Sequence, residues 1–257
     1  MSEKLKLGIL ISGGGTTAEA VIGACQSGRL NLEPVVVIAS SPEAGGIEKA
    51  ERLEVATVVV KPRDYRTGEE FGERLLSVLE EYGVEMVSQN GWMVRTPINV
   101  IERFPERIIN QHPGPLDGER PDFGGRGMYG VRVICARGAY EAVTGEEPAW
   151  TEATVHRVTE NYDEGPIIRK VRVEFSGLGR RVTMEELTSD SEDLIRATKE
   201  IQGRLLPIEH ENVIEALAMM IRGENGLERR AVPLIPEANW KILKQAKELA
   251  IGLYPRR

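Results

Sequence analysis

The sequence predicts an α/β fold, a mostly parallel sheet with helices on both faces, and three observations predict it. Leu7 to Ile11 and Val35 to Ala39 are continuous apolar runs, as strands covered on both sides are. Helical patterns separate such runs, so strand and helix alternate over the first half of the chain. A glycine turn, Gly13-Gly14-Gly15, follows the first run and opens into a helix.

The elements follow in order. After the glycine turn, Thr16 suits an N-cap and Glu19 completes a Thr-x-x-Glu capping box. Val35 to Ala39 is the second strand, and Ile47 to Leu53 a short helix. Thr57 to Val60 is the third strand, Glu69 to Tyr82 a longer amphipathic helix, and Glu85 to Ser88 the fourth strand. Pro97 suits the first turn of a further helix, and Arg107 to Asn110 is a fifth strand ending at His112. Residues 113 to 130 carry many Gly and Pro residues with little periodicity, and a loop of that length is usually functional or disordered. Val131 to Val143 reads as helix. Thr151 to Val158 and Ile167 to Phe175 alternate as half-buried strands that pair with each other. Leu194 to Arg222 is helical, with a restart near Pro207, and Asn239 to Leu253 is a C-terminal helix.

Composition excludes some classes. The 257 residues carry 33 Lys and Arg against 40 Asp and Glu, a net charge of -7, which argues against nucleic-acid binding. No run is apolar enough to span a bilayer, and Met1-Ser2-Glu3-Lys4 leads into a strand with no cleavable signal pattern. Cys25 and Cys135 have no metal-ligand spacing and suit a reducing compartment. A cytoplasmic protein without a metal, acting on small molecules, is expected. Its oligomeric state is open, a homodimer included.

Ligands of such sheets sit at the carboxyl ends of the strands. Three features fall there: the Gly13 loop, Gly91, and Asn110 with His112. Backbone N–H groups and the helix dipole at Gly14, Gly15, Thr16 and Thr17 favour an anion, with the Thr hydroxyls as added donors. Gly13, Gly15 and Ala18 also fit the G-x-G-x-x-A dinucleotide fingerprint, but Ser40-Ser41 stands where a ribose-binding acid belongs, so one phosphate is the better reading. Asn110 and His112 are two apart and share a strand face. With Asp163 they make a donor, an imidazole and a carboxylate, suited to a reaction that charges a carbonyl oxygen. The plainer reading makes Asp163 a turn residue before Gly165-Pro166, and Glu209-His210 an exposed helix face.

The motifs resemble those of the folate-dependent formyltransferases, the glycinamide ribonucleotide enzymes in particular. The matching pieces are Ile11-Ser12-Gly13-Gly14-Gly15-Thr16, Gly46-Ile47-Glu48-Lys49-Ala50, Gly91-Trp92-Met93, Arg107 to Pro113, Thr154-Val155-His156, Asp163-Glu164-Gly165-Pro166 and Glu209-His210. The resemblance implies a Rossmann-like formyltransferase fold and formyl transfer from 10-formyltetrahydrofolate to the ribonucleotide amine in purine biosynthesis. It implies a catalytic domain over 1–215, with a phosphate-binding half to about 112 and a folate and catalytic half beyond, then a helical extension over 216–257. Asn110, His112 and Asp163 would be catalytic. Gly14, Gly15, Thr16 and Thr17 would hold the phosphate, with Arg66, and Glu209 would contact the acceptor. Met93, Val94 or Arg95, with Glu160 and Tyr162 in the segment 160–165, would contact the folate. The chain departs from the family at Thr17, where Asn is usual, at Gly114-Pro115-Leu116-Asp117, and in the loop Asp122 to Gly130, where the family has a His. The alternatives are a formyltransferase on another amine, such as an amino sugar nucleotide, a 10-formyltetrahydrofolate hydrolase, an NAD-dependent oxidoreductase, and a non-catalytic binding protein.

Overall fold

A computed structural model describes residues 4–118, 121–224, 226 and 230–255. Among the described residues the seven strands are β1 (Leu5–Ile11), β2 (Leu32–Ala39), β3 (Ala56–Val59), β4 (Met86–Gln89), β5 (Ile108–His112), β6 (Trp150–Arg157) and β7 (Ile167–Glu174). The α-helices are α1 (Thr16–Gln26), α2 (Gly46–Arg52), α3 (Gly68–Glu81), α4 (Ile98–Arg103), α5 (Val131–Thr144), α6 (Met184–Ser189), α7 (Glu192–Ile221) and α8 (Trp240–Leu253). The sheet order is β3-β2-β1-β4-β5-β6-β7. The pairs β1–β2, β1–β4, β2–β3 and β4–β5 are parallel, as the alternation of strand and helix requires.

The chain forms two compact units. One comprises Met1–Gln111, Val155–Asn161 and Val213–Asn225; the other comprises His112–Thr154, Tyr162–Asn212 and Gly226–Arg257. The expected boundary at 215/216 lies inside α7. In the first unit, Leu7, Ile9, Leu10 and Ile11 of β1 are all fully buried, so both faces of that strand are covered. One core there joins Leu10, Val36, Ile38 and Val87 of the strands to Phe71, Leu75 and Leu79 of α3. In the second unit, α5 packs Val133, Ala136 and Ala139 against Leu243, Ala246 and Ala250 of α8, with Phe123 and Met128 in the same cluster. A second cluster there joins Ile134 to Ala153 of β6, Val173 of β7, and Ile201 and Leu205 of α7.

Four expectations need correction. Thr16 does not cap α1. Gly15 occupies the N-cap with no side-chain bond, and Glu19 pairs instead with Lys49 at 2.6 Å and Arg52 at 3.5 Å. The helix after Pro97 begins at Ile98, with Pro97 as its extended N-cap. Helix α7 runs through Pro207 without a restart. Strand β6 is buried along nearly its whole length rather than half-buried. Its alternation is real, but the polar face of Glu152, Thr154 and His156 is turned inward to partners rather than to water. Thr154 donates to the Gly114 carbonyl at 2.8 Å, and Arg230 pairs with Glu152. Helix α6, begun by a capping box of Thr183 and Glu186, was not expected.

The glycine turn sets the entry to α1. Gly15 has φ 65°, and a Cβ there would lie 2.4 Å from the Gly46 Cα, so both the backbone angle and the neighbour demand glycine. Gly15→Ala is expected to lower the unfolding free energy by about 2–4 kcal/mol, read as a lower urea midpoint at unchanged slope. A midpoint equal to the wild type would contradict the close approach.

Candidate active site

In the first unit the loop after β1 is tied on both sides. Ser12 N donates to the Gly91 carbonyl at 3.1 Å, Gly46 N donates to the Gly13 carbonyl at 3.1 Å, and the Ser12 hydroxyl accepts from Met93 N at 2.9 Å. The loop therefore presents Gly14, exposed, and the uncapped start of α1 at Thr16. The first N–H groups of a helix have no partner within it, so an uncapped start facing a glycine turn is a seat for an anion. Thr17 is buried, and its hydroxyl accepts from Gln111 Nε2 at 3.2 Å. Gln111 Oε1 is buried and has no partner among the described residues.

Gln111 points to one face of β5, and Asn110 and His112 by alternation to the other. Asn110 Nδ2 lies 3.3 Å from His156 Nε2, while His156 Nδ1 lies 2.9 Å from the Arg157 carbonyl. A carbonyl only accepts, so Nδ1 donates to it, and Nε2 is the nitrogen that faces the Asn110 amide. That bond turns the Asn110 amide nitrogen towards His156 and leaves its second N–H for another acceptor. The motif Thr154-Val155-His156 was visible in the sequence, but this orienting role was not, because it depends on pairing across the sheet.

In the second unit His112 is 3% exposed and the Asp163 side chain 9%, with Nδ1 and Oδ1 3.7 Å apart. His112 Nε2 lies 3.3 Å from the Phe123 carbonyl, to which it can only donate. Asp163 has φ 60°, a left-handed conformation that Asp tolerates in turns. Its Oδ2 accepts from Gly125 N at 2.8 Å. Turn residue and buried carboxylate are thus one and the same. Asp122, unexpected from sequence, is 7% exposed and accepts from Asp117 N at 2.8 Å and Gly124 N at 2.7 Å. Burial pushes its carboxyl up to about 6, against those two bonds.

The remaining expected residues are distributed as follows. Arg66, with its side chain 90% exposed, is held by Glu70 at 2.9 Å beside the start of α3. Met93 is 47% exposed, while Val94 packs on the first unit's core. Arg95 donates to the Glu160 carbonyl at 3.2 Å, with both side chains exposed. Tyr162 is 43% exposed in the second unit. Glu209 is 6% exposed, so the exposed-face reading is overturned. Burial alone pushes it from 4.5 up to about 8. No group of three or more His, Cys, Asp or Glu among the described residues could hold a metal, and no described helix is long and apolar enough to cross a membrane.

The chain belongs to the formyl transferase family, whose model matches residues 5–197. It is similar to the phosphoribosylglycinamide formyltransferase of Arabidopsis thaliana, at 28% identity over 90% of this chain and 70% of that protein. It is 32% identical to the trifunctional purine biosynthetic protein adenosine-3 of Gallus gallus, over 65% of this chain and 15% of that one. The structure resembles the glycinamide ribonucleotide transformylase 1 of Symbiobacterium toebii, with TM-score 0.71 and 29% identity, covering 92% of this chain and 96% of that one. The corresponding protein of Geobacillus kaustophilus gives TM-score 0.67 at 25% identity, covering 85% and 99%. The chain is a formyltransferase.

Glu209 gives the fold a pH dependence. A carboxyl raised on folding holds its proton more tightly in the folded state. Its contribution to stability is complete below the unfolded value and is lost as pH rises through about 8. Glu209→Gln should therefore gain on the wild type as pH climbs from about 5 to about 9, measured by urea unfolding at each pH. Parallel curves for the two proteins would exclude Glu209 as the source.

Proposed function

We propose that this formyltransferase carries the formyl group of 10-formyltetrahydrofolate to the amine of glycinamide ribonucleotide. The observation that carries the reading is the buried His112–Asp163 pair at the end of β5. The family membership and the names of the relatives support the acceptor and the formyl donor. The uncapped start of α1 at Gly14, Gly15, Thr16 and Thr17 suits a terminal phosphate, and the orphan Gln111 Oε1 beside Thr17 suits a sugar hydroxyl. Glu209, buried without an ionic partner among the described residues, suits the acceptor amine, whose charge would draw the carboxyl to its ionised form. In the first unit, exposed Met93 offers apolar surface suited to a flat pterin, with Arg95 and Glu160 as polar contacts. Arg66 stays a phosphate contact only if it leaves Glu70.

The formyl donor supplies an electrophilic carbonyl. The second N–H of Asn110 would donate to the oxygen as the amine attacks and charge develops there, and His112 would donate from Nε2 once that nitrogen leaves the Phe123 carbonyl. Asp163 holds His112 in its charged form and accepts, through it or through water, the proton that the amine gives up. That proton balances the one taken up by the departing folate nitrogen, so no net acid or base is consumed. A cytoplasmic setting accompanies this reading, and the two free buried cysteines suit it.

Absorbance at the folate chromophore tests the reading. Formyl loss should require glycinamide ribonucleotide, and His112→Ala should lower kcat by about a hundred- to a thousandfold. Formyl loss without acceptor would make the protein a hydrolase. Full activity in His112→Ala would remove the pair from the mechanism.

A further inference from the structure

We propose that Lys247 is a positioning residue for Asp163, acting from α8 through the Gly124–Gly125 peptide group. The inference rests on Asp163 belonging to the formyl-transfer site. Lys247 lies beyond the residues that the family model matches.

Helix α8 buries Leu243, Ala246 and Ala250. Lys247, four residues after Leu243, lies on that same face. A lysine there needs a partner, and its Nζ donates to the Gly124 carbonyl at 2.8 Å. The other end of that amide, Gly125 N–H, donates to Asp163 Oδ2 at 2.8 Å. Ammonium, amide and carboxylate thus stand in series. A positive charge on the carbonyl oxygen polarises the amide and strengthens its N–H as a donor. Asp163 Oδ1 is the oxygen that faces His112, so whatever fixes Oδ2 also aims Oδ1. The peptide has no slack: a Cβ on Gly124 would lie 2.7 Å from the Asp163 Cβ and 2.8 Å from Leu116 Cδ2.

The charged groups facing this peptide come from four elements: Asp122 on the loop itself, Asp163 between β6 and β7, His112 on β5 and Lys247 on α8. Burial lowers the Lys247 pKa, and Asp122 and Asp163 oppose that. The segment that carries Lys247 is tied to the same loop elsewhere. Leu234 N donates to Asp117 Oδ2 at 2.6 Å, and Arg230 Nε donates to the Leu116 carbonyl at 2.9 Å. Arg132 donates to the Gly127 carbonyl at 3.0 Å and the Tyr254 carbonyl at 2.7 Å.

Formyl-transfer kinetics of the full chain across pH test this, with Lys247→Gln as the main variant, since it keeps a donor and removes the charge. We expect kcat to fall by about tenfold to a hundredfold with KM within about twofold, and the acid limb of the profile to move to higher pH as the carboxylates lose their counter-charge. Lys247→Arg should restore most of kcat. Asp122→Asn should move the limb the other way, since it removes a like charge. Lys244→Met, on the exposed side of α8, should leave the profile unchanged. Wild-type kcat in Lys247→Gln, or a lower kcat with an unmoved acid limb, would overturn the proposal. The Gly125 amide proton provides a readout independent of turnover: Lys247→Gln should shift it upfield in the nitrogen-15 spectrum. An unmoved Gly125 signal overturns the proposal even in a protein without activity. Absence of formyl transfer in the wild-type chain, with the Gly125 signal of Lys247→Gln shifted as expected, would instead count against the formyl-transfer reading alone.

Discussion

A buried carboxylate persists only where something donates to it, and one donor to Asp163 is the N–H of Gly125. That bond joins the turn after β6 to the long loop after β5, at the point where the loop passes His112. The loop cannot move without releasing Asp163, and Asp163 cannot turn without releasing the loop. The other bonds of residues 113–130 reinforce this arrangement. Asp122 folds the loop onto itself at Asp117 and Gly124, the Phe123 carbonyl meets the far nitrogen of His112, and Thr154 holds the Gly114 carbonyl from β6.

The same demand explains the polar interior of the second unit. Glu152, Thr154, Asp117 and Asp122 are each nearly inaccessible to solvent. Most answer to a named partner, and Glu209 is the exception. A carboxyl with no such partner is an energetic cost that folding must absorb, and costs of this kind concentrate where a ligand later supplies the missing contact. Asn110 shows the complementary strategy. Its amide is oriented by His156, itself fixed by a backbone carbonyl, so one N–H is committed to structure and the other is held ready.

Elements were legible in the sequence wherever the signal was local. The buried runs of β1 and β2, the glycine turn and the amphipathic period of α3 need only near neighbours to be read, and each fell within a few residues of its expected place. Asn110, His112 and Asp163 were legible as candidates because strand spacing and turn chemistry are also local. What failed depended on distant partners. Glu19 has the spacing of a capping box, but two cations on α2 compete for it and win. The polar face of β6 alternates as a solvated strand would, and only the packing of later segments shows that water never reaches it. Glu209 and Lys247 sit in helical patterns as ordinary charged residues. Nothing within a helical turn of either reports that one is buried or that the other reaches a loop more than a hundred residues earlier.

The dependence of the second unit's core on α8 also sets an order of events during synthesis. Ribosomes extend a chain at roughly 5–20 residues per second. Phe123, Met128 and the inner face of α5 therefore emerge several seconds before Leu243, Ala246 and Ala250, which cover them. The glycine turn and its sheet have all their partners earlier. A nascent chain would thus have its glycine turn formed while the peptide that aims Asp163 still waited for Lys247, and its apolar α5 face would be a surface for chaperones until α8 arrived.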